Sequence, residues 1–87
     1  MVPVRADASK LIYDDATDVA YFPLGVSRFT DEEEVGPGIH VLYAFDGRRT
    51  GDVVGVEIEY FKERFPTLPT SITIDANNPF TLIIPEI

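Results

Sequence analysis

Between Val54 and Tyr60 the chain alternates strictly. Val54, Val56, Ile58 and Tyr60 are apolar or aromatic, and Gly55, Glu57 and Glu59 stand between them. A period of two is what a strand with one buried and one wet face requires. A second apolar run, Ile39–Phe45, precedes it, and the turn-rich Asp46–Asp52 joins the two. Asp46-Gly47 and Thr50-Gly51-Asp52 tolerate the backbone conformations of a reversal. The pair reads as a β-hairpin with a long loop, and the rest of the chain must be arranged around it.

Eighty-seven residues, 45% of them hydrophobic and 11% aromatic, suit one packed domain spanning 1–87. Val19–Leu24 reads as a further strand with apolar residues on both faces: Val19 and Tyr21 on one, Ala20, Phe22 and Leu24 on the other. Such a strand is covered on both sides or meets a partner. Lys10–Tyr13 reads as a short first strand after a partly ordered arm, Met1–Ser9. Asp14–Asp18 reads as a turn, because aspartates bond nearby backbone amides. Gly25–Gly38 reads as a long polar connection. Within it Thr30 and Glu33 have capping-box spacing for a short helical turn. Phe61 and Phe65 share one face of a single helical turn, stopped by Pro66. Residues 66–87 form a β-hairpin-like extension, with runs at Ser71–Ile74 and Phe80–Ile84 and a turn at Asp75–Pro79; Pro85 weakens the pairing of the last run. The expected fold is mainly β: a small antiparallel sheet of four to six strands with one short helical turn. Ser71–Ile87 either folds over its own sheet or crosses to a second copy, and a homo-oligomer is the expectation.

Net charge is −8, from 15 acids against 7 bases. That argues against nucleic-acid binding, which draws on basic side chains meeting phosphates. It favours solubility, and it can steer the chain towards a basic protein partner, with the acidic run Asp31, Glu32, Glu33 and Glu34 as the steering surface; the plainer reading of the same charge is a solubility device. No apolar run approaches the ~20 residues of a membrane span. With no cysteine and no secretory h-region, the chain reads as cytoplasmic.

The chemistry-bearing residues are few. His40 is the only histidine, placed by alternation on a strand face with Leu42 and Ala44. General-base work needs a positioned partner, and the sequence names none. Ser9, Ser27 and Ser71 lack a nucleophile context. Asp14 and Asp18 are candidate oxygen ligands for a hard cation, although the glycine and bidentate glutamate of a calcium loop do not follow. As turn residues, the same two aspartates cap a tight reversal. Gly36 and Gly38 lack the Lys-Ser/Thr of a phosphate cradle. No cofactor and no enzymatic activity are expected.

Tyr13-Asp14-Asp15, Asp18-Val19-Ala20-Tyr21, Glu33-Glu34-Val35, Asp46-Gly47 and Val54-Gly55-Val56-Glu57-Ile58 together resemble a family of small prokaryotic proteins, the domain of unknown function 2283. The resemblance covers roughly Leu11–Tyr60. It implies a small β-rich fold without an established activity, and an antitoxin-like role beside a small toxin. The leading expectation is a non-enzymatic protein-interaction module. The alternatives are a small-ligand or metal-binding protein using Asp14, Asp18 and His40, and a purely structural self-assembling subunit.

Overall fold

The hairpin is the centre of a five-stranded antiparallel sheet. The computed structural model describes Met1–Ile84. In chain order the elements are β1 (Val2–Arg5), a 3-10 turn (Ala8–Lys10), β2 (Ile12–Asp14), β3 (Val19–Pro23), β4 (Thr30–Gly36), β5 (Ile39–Phe45), β6 (Arg49–Glu59), α1 (Phe61–Arg64), β7 (Ser71–Ile74) and β8 (Phe80–Ile83). The larger sheet has the order β2-β3-β6-β5-β4; a three-stranded sheet has the order β1-β8-β7. The fold is therefore mainly β with one short helix, as the alternation and the Phe61/Phe65 spacing predict.

Alternation decides the faces. Ala20 and Phe22 on β3, Val41 and Tyr43 on β5, and Val56 and Ile58 on β6 are buried. Register confirms that they share one face, since Phe22 opposes Val56 and Val56 opposes Val41. The smaller sheet supplies the other half of the same core: Ile72 and Ile74 from β7, Phe80 and Leu82 from β8, and Ala76 from the turn between them. A sheet with one apolar face needs such a cover, and one helical turn is too small to provide it. Here the extension provides it, with β7 and β8 paired antiparallel. Phe61 from α1 joins that core, its ring centroid 5.8 Å from Phe22 and 5.5 Å from Phe65.

Four local expectations are corrected. The N-terminal arm is not loosely ordered: Val2–Arg5 pairs in parallel with β8. Pro3 and the lack of periodicity hid it, because its partner lies at the far end of the chain. The acidic run is not a helical turn in a long connection; it is β4, antiparallel to β5. Cross-strand pairing overrides the local capping-box spacing, and a shift between Glu34 and Gly36 absorbs the extra residue. The hairpin loop is shorter than Asp46–Asp52. Phe45 already pairs with Arg49, and Gly47, at φ 68, makes the reversal. Tyr60 does not continue the alternation inward. It leaves β6 in the left-handed conformation, at φ 56, and is exposed. The expectation about Pro85 lies outside the described residues.

Among the described residues, no helix is long and apolar enough to cross a membrane.

Candidate functional site on the open sheet face

The inner face of the large sheet is covered; among the described residues nothing packs over its outer face. Register places Ile12, Tyr21, Glu57, His40 and Glu34 in one row that crosses all five strands, each opposite the next. In the neighbouring row Asp14 opposes Val19, and Val19 opposes Glu59. Glu32 opposes Leu42 on the other side of His40. One imidazole on β5 thus sits among glutamates from the strands on both sides.

The distances follow from that register. His40 Nδ1 lies 2.8 Å from Glu32 Oε1, and His40 Nε2 lies 3.6 Å from Glu34 Oε2 and 3.9 Å from Glu59 Oε1. Donor atoms of Glu32, His40 and Glu57 all fall within 4.8 Å of one another. The His40 side chain is only 16% exposed, whereas the surrounding carboxylates reach solvent. Among the described residues, none of these four glutamates makes an ion pair with a lysine or arginine. Beside the cluster runs an open groove of about 420 Å³, floored by Val19 and Tyr21 and edged by Ile12, Asp14, Glu57 and Glu59. Tyr21 lies across Gly55, where an added Cβ would stand 2.7 Å from its ring carbon Cε2.

The acidic run is divided between two faces. Asp31 and Glu33 turn inward at the sheet edge and are tied by Arg49, at 2.7 and 2.5 Å, while the Arg49 guanidinium lies 4.8 Å over the Tyr43 ring. Glu32 and Glu34 alternate outward to His40. Two of the four predicted partner-facing acids thus seal the core's rim, and two belong to the open face.

The predicted cation ligands go elsewhere. Asp14 lines the groove and accepts a hydrogen bond from the Ala16 amide at 3.0 Å, as a turn aspartate does. It is three strands away from His40. Asp18 caps the start of α1, although the helix lies far along the chain. Its backbone carbonyl accepts from the Phe61 amide, and its carboxylate accepts from the amides of Lys62 at 2.9 Å and Glu63 at 3.4 Å. Tyr13 donates its hydroxyl to the same carboxylate at 2.8 Å. The Lys62 amide, with the Tyr13 hydroxyl second, holds the Asp18 carboxyl below its ordinary range, and the Asp18 carboxylate pushes the Tyr13 phenol up to about 12. Asp18 does this at φ 55, a conformation that aspartate tolerates better than most residues.

A second cleft, about 280 Å³, opens beneath α1 between Leu11, Tyr13, Phe61, Phe65 and Leu68. Its one cation, Lys62, sits 4.6 Å over the Tyr13 ring. The cleft has no convergent polar set.

The residues sequence reasoning missed are Glu57 and Glu59. Their outward alternation was visible, but nothing local said that they flank His40.

These features define a small two-sheet β protein with an open, acidic, histidine-centred sheet face. The chain belongs to the family described as Protein of unknown function (DUF2283), whose model matches residues 10–62. No curated protein and no solved structure matches the chain. The matched segment runs from the start of β2 to the first turn of α1, so it contains the whole five-stranded sheet and its open face. β1, β7 and β8 lie outside it.

Proposed function

We propose that this protein is a non-enzymatic binding module that presents the open face of its large sheet to a basic protein partner. The observation that carries this reading is the surplus of acid there, which Arg64, bonded to the Glu59 carbonyl at its rim, offsets only in part. Glu32, Glu34, Glu57 and Glu59 crowd around one imidazole, beside apolar Val19 and Tyr21, without a lysine or arginine ion pair among the described residues. A partner bearing lysines or arginines around an apolar centre would complement both components. A second copy docking face to face would set these acids against their own kind. An antitoxin-like inhibitor of a small basic protein is the sharpest form of the reading.

The test is a pull-down from the native host with the wild-type chain and with a variant carrying Glu32→Lys, Glu34→Lys and Glu59→Lys. Glu33 is left alone because its ion pair to Arg49 serves the fold. The expected result is a basic protein held by the wild type and lost by the variant, with an association rate that falls as salt rises. A partner held equally by both chains refutes the reading, as does a rate indifferent to salt.

A further inference from the structure

We infer that Glu32, His40 and Glu57 form a binding site for a divalent transition-metal cation of the zinc type. The inference does not rest on the partner reading, and its test uses the metal alone.

The donor set is the first argument. One imidazole nitrogen and two carboxylates, from three adjacent strands, converge within 4.8 Å. A tetrahedral zinc ion with ligand bonds of ~2.1 Å holds its donors about 3.4 Å apart, so the ligands need to close by roughly an ångström. Glutamate side chains that reach solvent can make that adjustment by rotating. The imidazole does not need to move far, because it is already held between strands and mostly buried.

The second argument is the placement of the remaining acids. Glu32 lies at Nδ1, so the ion enters on that side, replacing the close Nδ1–Glu32 contact. Nε2 then faces Glu34 and Glu59, at 3.6 and 3.9 Å. A carboxylate behind the second ring nitrogen is the usual means of orienting a metal-bound imidazole and raising its basicity. The strand register supplies it twice: Glu34 directly opposite His40, and Glu59 two residues beyond Glu57.

The third argument is selectivity. Magnesium and calcium prefer all-oxygen sites, and an imidazole at the centre disfavours them. Zinc accepts nitrogen with oxygen, and three protein ligands leave one position open to water or to a partner's side chain. The Asp14–Asp18 turn lacks this nitrogen donor.

The experiment is a titration of the full chain with zinc chloride in a non-coordinating buffer, followed by calorimetry and by nitrogen-15 NMR of the imidazole. His40 is the only histidine, so the spectrum reports on this residue alone. The expected result is one saturable site, a large shift of the His40 ring nitrogens, and no such shift with magnesium. Glu57→Gln weakens binding at least about tenfold, and His40→Gln abolishes it. Circular dichroism confirms that both variants fold; if either does not, the wild-type imidazole shift decides. No saturable binding, an unshifted imidazole, an equal response to magnesium, or affinity retained in both folded variants overturns the inference.

Discussion

Leu82→Ala tests the architecture most directly. Leu82 sits on β8, the middle strand of the small sheet, with no exposed surface, and it shares one core with Phe22, Val41, Val56 and Ile58 of the large sheet. Truncating a fully buried leucine removes its transfer free energy and leaves a cavity that rigid strands fill poorly. A loss of about 3 kcal/mol is expected. A chain of this size has a total stability on the order of 5–10 kcal/mol, so the variant gives up a large part of it. In thermal terms that is a fall of about 12–24 °C. Ile83→Ala is the matched control. It lies on the same strand, facing the other way and only half-buried, and is expected to cost roughly 1 kcal/mol.

The assay is urea unfolding followed by circular dichroism at two protein concentrations a hundredfold apart. A cover supplied by the chain's own tail gives midpoints independent of concentration. A tail exchanged with a second copy builds the same core but makes the midpoint rise with concentration. A Leu82→Ala cost below about 0.5 kcal/mol, as at a surface position, refutes the two-sheet core itself.

Stopping the chain after Pro66 removes β7 and β8 and uncovers Phe22, Val41, Val56 and Ile58; loss of cooperative unfolding, or association seen by light scattering, is expected, and a well-folded monomer would contradict the fold. Asp18→Asn keeps the tolerance for φ 55 but loses the charge that caps α1. The native Asp18 carboxyl is held below 3.8, so the stability it brings is present above that pH and is lost as pH falls through the lower native value. The variant is therefore less stable at neutral pH, and the gap in urea midpoint closes in acid; a gap constant from pH 7 to pH 2.5 would show that the charge does nothing there. Tyr13 is held neutral to about 12, and burial also pushes Tyr21 and Tyr43 up, so an alkaline absorbance titration of the four tyrosines shows late steps of which one tyrosine's worth is lost in Tyr13→Phe; an unchanged late amplitude in the variant would contradict the Asp18 bond.

What the sequence made legible follows from where the determining interactions lie. β3, β5, β6 and the Phe61–Phe65 turn are visible because apolar spacing is a local record of one buried face. β7 and β8 are visible for the same reason. β4 is not: its middle is four consecutive acids, so inward Asp31 and Glu33 look the same as outward Glu32 and Glu34. Only Arg49, on another strand, distinguishes them. β1 is hidden because its parallel partner is at the opposite end of the chain. The site suffered from the missing strand. Alternation correctly placed His40 on a face with Leu42 and Ala44, but without β4 there was no reason to bring Glu32 and Glu34 to it. Asp18 has the local marks of a turn residue, yet its carboxylate binds an amide 44 positions away.

The two faces of the large sheet are set by different parts of the chain. The inner face is closed by β1, β7 and β8, all outside the segment that defines the family. The outer face lies wholly inside that segment. Its acids are half-exposed or exposed and crowd together, and like charges side by side on a sheet do not stabilise it. A sheet needs none of them for its core, which already buries Val56 and Ile58 on the other side. Glu34→Gln or Glu59→Gln should then leave stability unchanged or raise it slightly, whereas the partner and cation proposals both require these residues; a loss of more than about 1 kcal/mol in urea unfolding would show that they serve the fold. An acidic surface that the core does not need, assembled from three strands in register, is what the partner and cation proposals both draw on.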